Sequence, residues 1–259
     1  MAIARTNGFN AITLTGGEQC LPSTPKLFKD RIVAICYDND TAGKTGAYKV
    51  ANCLLKYTPY VKVVLNFHEG MEEKEEEEEE GALDEHVWLS LKNAAVLTEA
   101  IEKALAEIDP ENASLYEANL AAYLEKLSTL DAVYAGAVKE GAHDTLLFGD
   151  RFPFRYLTED YGLKYYAAFS GCSAETEASF ETILFLADKV DELGLSCILT
   201  IDGSDQKIAG TVAQTAKSGE PEILTLNSIQ SITKEDMESG TTYLSVMEEN
   251  LEVLKKALQ

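Results

Sequence analysis

The sequence predicts an α/β protein built as two α/β lobes with mainly parallel sheets, joined by a long linker helix. Three observations lead there. Short runs such as residues 31–37 (RIVAICY) and 197–201 (CILTI) are apolar almost throughout rather than alternating, as in parallel strands covered on both faces. Between such runs the apolar residues recur at three- and four-residue spacing, the period of a helix packed on one side. One of these periodic stretches, from Pro110 to about Lys139, corresponds to a helix on the order of 40 Å long.

Taken in order, residues 9–16 (FNAITLTG), bounded by glycines, suit a buried strand, and a loop with Pro22 and Pro25 follows. The strand at 31–37 ends in Asp38-Asn39-Asp40-Thr41-Ala42-Gly43. A helix over 45–57 carries Ala47, Val50, Ala51, Leu54 and Leu55 on one stripe, and 61–65 is the next strand. Right-handed crossovers would make this sheet parallel. Residues 67–83 are a linker. Glu72, Glu73 and Glu75 to Glu80 repel one another around Lys74, so a solvated loop with weak attraction for cations is expected.

Beyond the linker, Asp84-Glu85-His86-Val87-Trp88-Leu89-Ser90 leads into a helix with Leu97, Ile101, Leu105 and Ile108 on one stripe. Asp109-Pro110 restarts it, with Asp109 suited to the N-cap and Pro110 to the first helical position. The long helix then shows Leu120, Tyr123, Leu124, Leu127, Leu130 and Tyr134. Residues 145–148, 164–169, 197–201 and 223–226 read as four strands, alternating with a helix ending at YGL, one over 180–193, one over 206–216 and a closing one over 243–258. In the helix over 180–193, Ile183, Leu184, Leu186, Ala187 and Val190 point inward. The expected organisation is an α/β fragment over 1–66, the acidic loop over 67–83, motif and linker helix over 84–142, and a C-terminal α/β lobe over 143–259.

Composition narrows the function. A formal net charge of −22 over 259 residues makes double-stranded nucleic acid a poor partner, since phosphate binding needs clustered Lys and Arg. The five cysteines are odd in number and widely spaced, which points to buried thiols rather than a disulfide framework or a cysteine zinc site. Ser170-Gly171-Cys172-Ser173 lacks the GxSxG elbow of a hydrolase, and the chain is not expected to be an enzyme. No run of about 18 apolar residues could span a membrane. The opening residues MAIARTNGFNAITL lack the pattern of a secretory signal, so the chain as written is expected in the cytoplasm, as a monomer.

Two resemblances follow from motifs. The segment YDNDTAGKTGAYKVANCLLKY resembles the Toprim module of primases and type IA topoisomerases over residues 8–66. That resemblance implies a Mg²⁺ site at Asp38 and Asp40 and, as the alternative function, a Mg²⁺-dependent nucleic-acid enzyme fragment. The catalytic glutamate of that family has no counterpart here, and the two aspartates equally suit a helix cap. DEHVWLSLKN followed by DPENASLYEANLAAYLEKL resembles the zinc and manganese solute-binding proteins of ABC importers over residues 69–259. The chain therefore reads as a chimera of the two, whose function is capture of Zn²⁺ or Mn²⁺ between two lobes for an ABC permease, or as a folded chimera without selected activity.

The importer resemblance implies a ligand set of His86, Asp150 and Asp202. His86 matches the histidine of the HVWLS motif, and Asp202 in TIDGSD matches the acid after the third strand of the second lobe. Asp150 stands where many relatives have His-Asp-Ala-Phe and this chain has Gly149-Asp150-Arg151-Phe152. Leu91 replaces the usual proline, and the histidine of the family's first lobe has no counterpart. Each of the three also has a structural reading: a lone histidine such as His86 is more often structural than ligating, Asp202 can cap the next helix, and Asp150 can pair with Arg151 or Arg155. Imidazole plus carboxylate is a donor set suited to zinc, and manganese tolerates more oxygen. His68, a water or a loop glutamate could complete the shell.

Overall fold

The continuous apolar runs form parallel strands. In the computed structural model of the protein, residues 2–6, 9–13, 28, 33–36, 41–58, 61–64, 84–169 and 178–259 are described. They divide into two compact units, and the chain passes between them several times. The first unit includes residues 91–128 and 232–242 besides the N-terminal elements; the second holds 84–90, 129–231 and 243–259.

In the first unit β1 (Ala2–Thr6) and β2 (Phe9–Thr13) pair antiparallel, Thr6 opposite Phe9. The strand expected at 9–16 therefore exists but belongs to a local hairpin, not to a parallel sheet. Its partner is missed in the sequence because AIART, beside the N-terminus, is too short and mixed to show a period. Strands β3 (Val33–Cys36) and β4 (Val61–Val64) pair parallel in register Val33 to Val61, joined by α1 (Thr41–Leu54). Helix α1 buries Ala47, Val50, Ala51 and Leu54 against Phe28 and Ile35, the stripe that its spacing predicts. Leu55, expected on that stripe, is exposed at 51%, because the helix ends at Leu54. Helix α2 (Leu91–Ile108) packs against β3 and β4. A single 3₁₀ turn at Pro110–Asn112 precedes α3 (Ala113–Glu140).

Asp109 does not cap a backbone N–H there. Its Oδ2 accepts hydrogen bonds from the Asn112 side chain at 2.8 Å and the Tyr116 hydroxyl at 2.7 Å. These, the Asn112 bond first, hold the Asp109 carboxyl below its ordinary range. Burial first, and then the same carboxylate, push the Tyr116 hydroxyl up to about 12. The 28 residues of α3 span about 42 Å. Residues to Ser128 belong to the first unit and those from Thr129 to the second.

The second unit is organised on a four-stranded sheet in the order β6-β5-β7-β8: β6 (Lys164–Ala167), β5 (Thr145–Phe148), β7 (Cys197–Ile201) and β8 (Glu222–Leu226). Every pairing is parallel. Strands β5 and β7, central in that order, are buried at every position, which is why their sequences lack alternation. Helices α4 (Arg155–Asp160), α5 (Phe180–Leu193), α6 (Lys207–Thr215) and α8 (Tyr243–Ala257) complete the layers, while the short α7 (Lys234–Glu238) belongs to the first unit.

The core between β5, β7, α5 and α6 joins Leu147, Leu186, Ala187, Val190, Ile198, Ala209 and Val212. Helix α5 starts where Ser179 Oγ accepts the Thr182 N–H at 3.0 Å and stops at Gly194, whose φ of 63° is left-handed. Leu184, expected inward, is instead exposed at 39%, because the buried face settles on the row Ile183, Leu186, Ala187 and Val190. The C-terminal part of α3 docks within this unit through Tyr134. Its hydroxyl donates to the Met247 carbonyl at 2.6 Å, and its ring stacks on Tyr161 at 5.3 Å. Cys53 and Cys197 are free thiols, half-buried and buried respectively.

Candidate metal centre

The DEHVWLS segment is pinned by its own side chains. Asp84 and His86 are both buried, at 4% and 0% exposure. A single oxygen, Asp84 Oδ1, accepts the His86 backbone N–H at 2.9 Å and His86 Nδ1 at 2.7 Å. Bonding to a backbone amide two residues on is the Asx-turn habit of aspartate, and here it turns the imidazole back over the same carboxylate. The Asp84 carbonyl in turn accepts the Tyr156 hydroxyl at 2.7 Å, from α4.

From His86 a continuous set of contacts reaches the carboxyl end of the sheet. The His86 ring meets Trp88 edge-on at 5.4 Å. Trp88 lies in a 3₁₀ turn at Val87–Leu89, its carbonyl accepting from the Tyr243 hydroxyl and its Nε1–H donating to the Ser228 carbonyl at 3.0 Å. Ser228 donates both its backbone N–H and its hydroxyl to Asp202 Oδ1, each at 2.6 Å. Ser90 closes the segment by donating to Asp160 at 2.6 Å.

The loop carrying Ser228 is fixed from two sides. Asn250 on α8 accepts the Asn227 N–H and donates to the Asn227 carbonyl, both at 2.8 Å. Asn227 Oδ1 accepts the N–H of Ile229, whose φ of 62° is unusual for a β-branched residue. These polar residues were not singled out in the sequence. The signal that could have found them is position: LNSIQ follows β8 on the same carboxyl edge as TIDGSD follows β7.

Asp202 directly follows β7 and does not cap α6, which begins instead after Gln206 in a left-handed conformation. Asp150 stands two residues beyond β5, the strand paired with β7 at Phe148 and Leu199. Its Oδ1 accepts the Arg151 backbone N–H at 2.8 Å, and among the described residues neither Arg151 nor Arg155 forms an ion pair with it. The two aspartates share one feature. Asp150 Oδ2 and Asp202 Oδ2 are both buried and have no hydrogen-bond partner among the described residues. Buried carboxylate oxygens are costly to leave so, and a bound cation is one of the few groups that satisfies them.

Gly149, directly after β5, stands where the importer resemblance implies a histidine. A Cβ built there would lie 2.5 Å from the Ala209 Cα and 2.9 Å from its nitrogen, so α6 closes on the backbone and no side chain fits. The Gly149 N–H meanwhile donates to the Leu199 carbonyl at 2.9 Å. Among the described residues no three His, Cys, Asp or Glu groups are gathered closely enough to hold a metal: the network links His86 to Asp202, Asp150 lies outside it, and the three do not form one shell. Asp38, Asp40, His68 and the glutamates of 72–80 lie outside the described residues.

Fold and site together define an α/β protein whose parallel sheet presents buried, ligand-type side chains at its carboxyl edge, the usual place for ligands in such sheets. The comparisons with known proteins name the family. Residues 47–257 match the family described as zinc-uptake complex component A, periplasmic, and the chain belongs to it. The zinc-binding lipoprotein AdcA of Streptococcus pneumoniae is 35% identical over 188 residues, 73% of this chain and 36% of that protein. The high-affinity zinc uptake system protein ZnuA of Bacillus subtilis is 30% identical over 177 residues, 68% of this chain and 54% of that one. The chain thus spans between about a third and a half of these relatives. In structure it is similar to the Zn(II)-bound ZnuA-like domain of S. pneumoniae AdcA, with a TM-score of 0.65 at 31% identity over 87% of this chain and 79% of that one.

Two expectations change. The cytoplasmic placement is overturned, because the matched family is described as periplasmic and the S. pneumoniae relative as a lipoprotein. The family match also begins at residue 47, inside α1, rather than at 69, so β4 falls within the family. The Toprim resemblance finds no support in these matches.

Proposed function

We propose that the chain is a solute-binding component that captures Zn²⁺ outside the cytoplasmic membrane and hands it to an ABC permease, with Mn²⁺ as the competing cargo. His86, Asp150 and Asp202 are the ligand-type residues. The observation that carries this reading is a pair of buried oxygens with no hydrogen-bond partner among the described residues, Asp150 Oδ2 and Asp202 Oδ2, beyond the ends of neighbouring strands, with Asp202 linked to His86 through Ser228 and Trp88. One imidazole and two carboxylates suit zinc, and the family match and zinc-binding relatives favour the same ion. Metal binding draws the three side chains into one shell, and the role is transport rather than catalysis. The eight glutamates of 72–80, just ahead of His86 in sequence, add a weak, unselective attraction for cations.

Thermal unfolding with and without ZnCl₂ tests it. A ligand present at 100 times its dissociation constant stabilises by about 2.7 kcal/mol, so the melting temperature should rise with zinc in the wild type and stay flat in His86→Ala. No shift with either zinc or manganese in the wild type would sink the reading.

A further inference from the structure

We infer that Asp84 is a positioning residue that selects the ring nitrogen with which His86 meets its ligand; this rests on the proposed metal-binding role of His86. A carboxylate can only accept hydrogen bonds. Asp84 Oδ1 lies 2.7 Å from His86 Nδ1, so Nδ1 carries the proton and the lone pair of the neutral ring resides on Nε2. The same oxygen accepts the His86 backbone N–H at 2.9 Å, which sets the direction of the ring as well as its tautomer.

The carboxylate is itself held. Its residue is 4% exposed, and its backbone carbonyl accepts the Tyr156 hydroxyl at 2.7 Å, which fixes the main chain from which the carboxylate projects. The 62° edge contact with Trp88 holds the imidazole from another side. A ring fixed in this way loses little freedom on meeting a cation, and the carboxylate raises the electron density at Nε2. Partners of this kind are worth roughly 10- to 100-fold in metal affinity.

The experiment compares wild type, Asp84→Ala, Asp84→Asn and His86→Ala by two readouts: ¹⁵N NMR of the His86 ring in the metal-free protein, and the dissociation constant for Zn²⁺ measured against a chromophoric chelator. Wild type should show the Nδ1–H tautomer. Asp84→Ala should give a mixture of tautomers and a zinc affinity about 10- to 100-fold lower. Asp84→Asn, whose amide oxygen can still accept both bonds, should keep the tautomer and fall between the two in affinity. Circular dichroism of the metal-free variants selects those that fold, and if Asp84→Ala does not, Asp84→Asn carries the test through its affinity. An Nε2–H tautomer in the wild type overturns the inference. So does a folded Asp84→Ala, or failing that Asp84→Asn, that binds zinc like the wild type while His86→Ala does not. Wild-type zinc binding by His86→Ala would instead remove the metal role on which the inference rests.

Discussion

Two regions of this protein solve burial in opposite ways. The cluster around β3 and α1 joins the apolar groups Phe28, Ile35, Ala47, Val50, Ala51 and Leu54. The carboxyl edge of the β5–β7–β8 sheet, with the segment before α2, buries Asp84, His86 and Ser228 and one oxygen each of Asp150 and Asp202. The first region is held by transfer of apolar surface out of water, which is non-directional and tolerant of detail. The second depends on hydrogen bonds whose partners must each be in place, because an unpaired buried polar group costs about 1–3 kcal/mol. In that second region two carboxylate oxygens remain unsatisfied among the described residues.

The contrast can be tested in decreasing order of effect. Gly149→Ala should be the most damaging single-methyl change, since the new Cβ meets the backbone of Ala209 rather than a movable side chain. A loss of about 3 kcal/mol is expected, a fall in melting temperature of roughly 6–12 °C, with zinc binding weakened as the β5 edge shifts. Leu54→Ala should cost roughly 2–3 kcal/mol through the cavity left in the apolar cluster. Its zinc affinity, measured by the same chelator competition, should stay at the wild-type value; a parallel loss would erase the distinction between the two regions.

The smallest effect concerns Asp109 at the start of α3. Its carboxyl is held low by the Asn112 side chain and then the Tyr116 hydroxyl. Because the folded value lies below the unfolded one, the contribution is present above the unfolded carboxylate value and is lost as pH falls through the folded value. Melting curves of wild type and Asp109→Asn should therefore converge as the pH is lowered from about 5 toward 2. Curves that stay parallel over that range would show that the Asp109 carboxylate is electrostatically silent.

Much of the architecture was legible because it rests on period. The stripe Ala47, Val50, Ala51 and Leu54, the row Tyr123, Leu127, Leu130 and Tyr134, and the unbroken CILTI each state which face is buried. The hairpin of β1 and β2 was not legible, since five mixed residues carry no period and their pairing is decided by chain reversal. At the site the identities of His86, Asp150 and Asp202 were suggested by motif resemblance, but their surroundings were not. The Asn227–Ser228 loop that grips Asp202 is set by Asn250, 23 residues further on, and Tyr156 reaches Asp84 across 72 residues.

By itself, then, the sequence determined that this is a parallel α/β chain with a long helix, and that a histidine sits in a compact aspartate-histidine-tryptophan motif. Those are local properties, written in spacing and residue type. Only the tertiary structure decided that Asp84 holds Nδ1, that Ser228 holds one oxygen of Asp202 and that α6 leaves no room for a side chain at Gly149. Directional hydrogen bonds and close approaches join residues far apart in the chain, and no one-dimensional pattern records which of a residue's two polar atoms is used and which is left for a ligand.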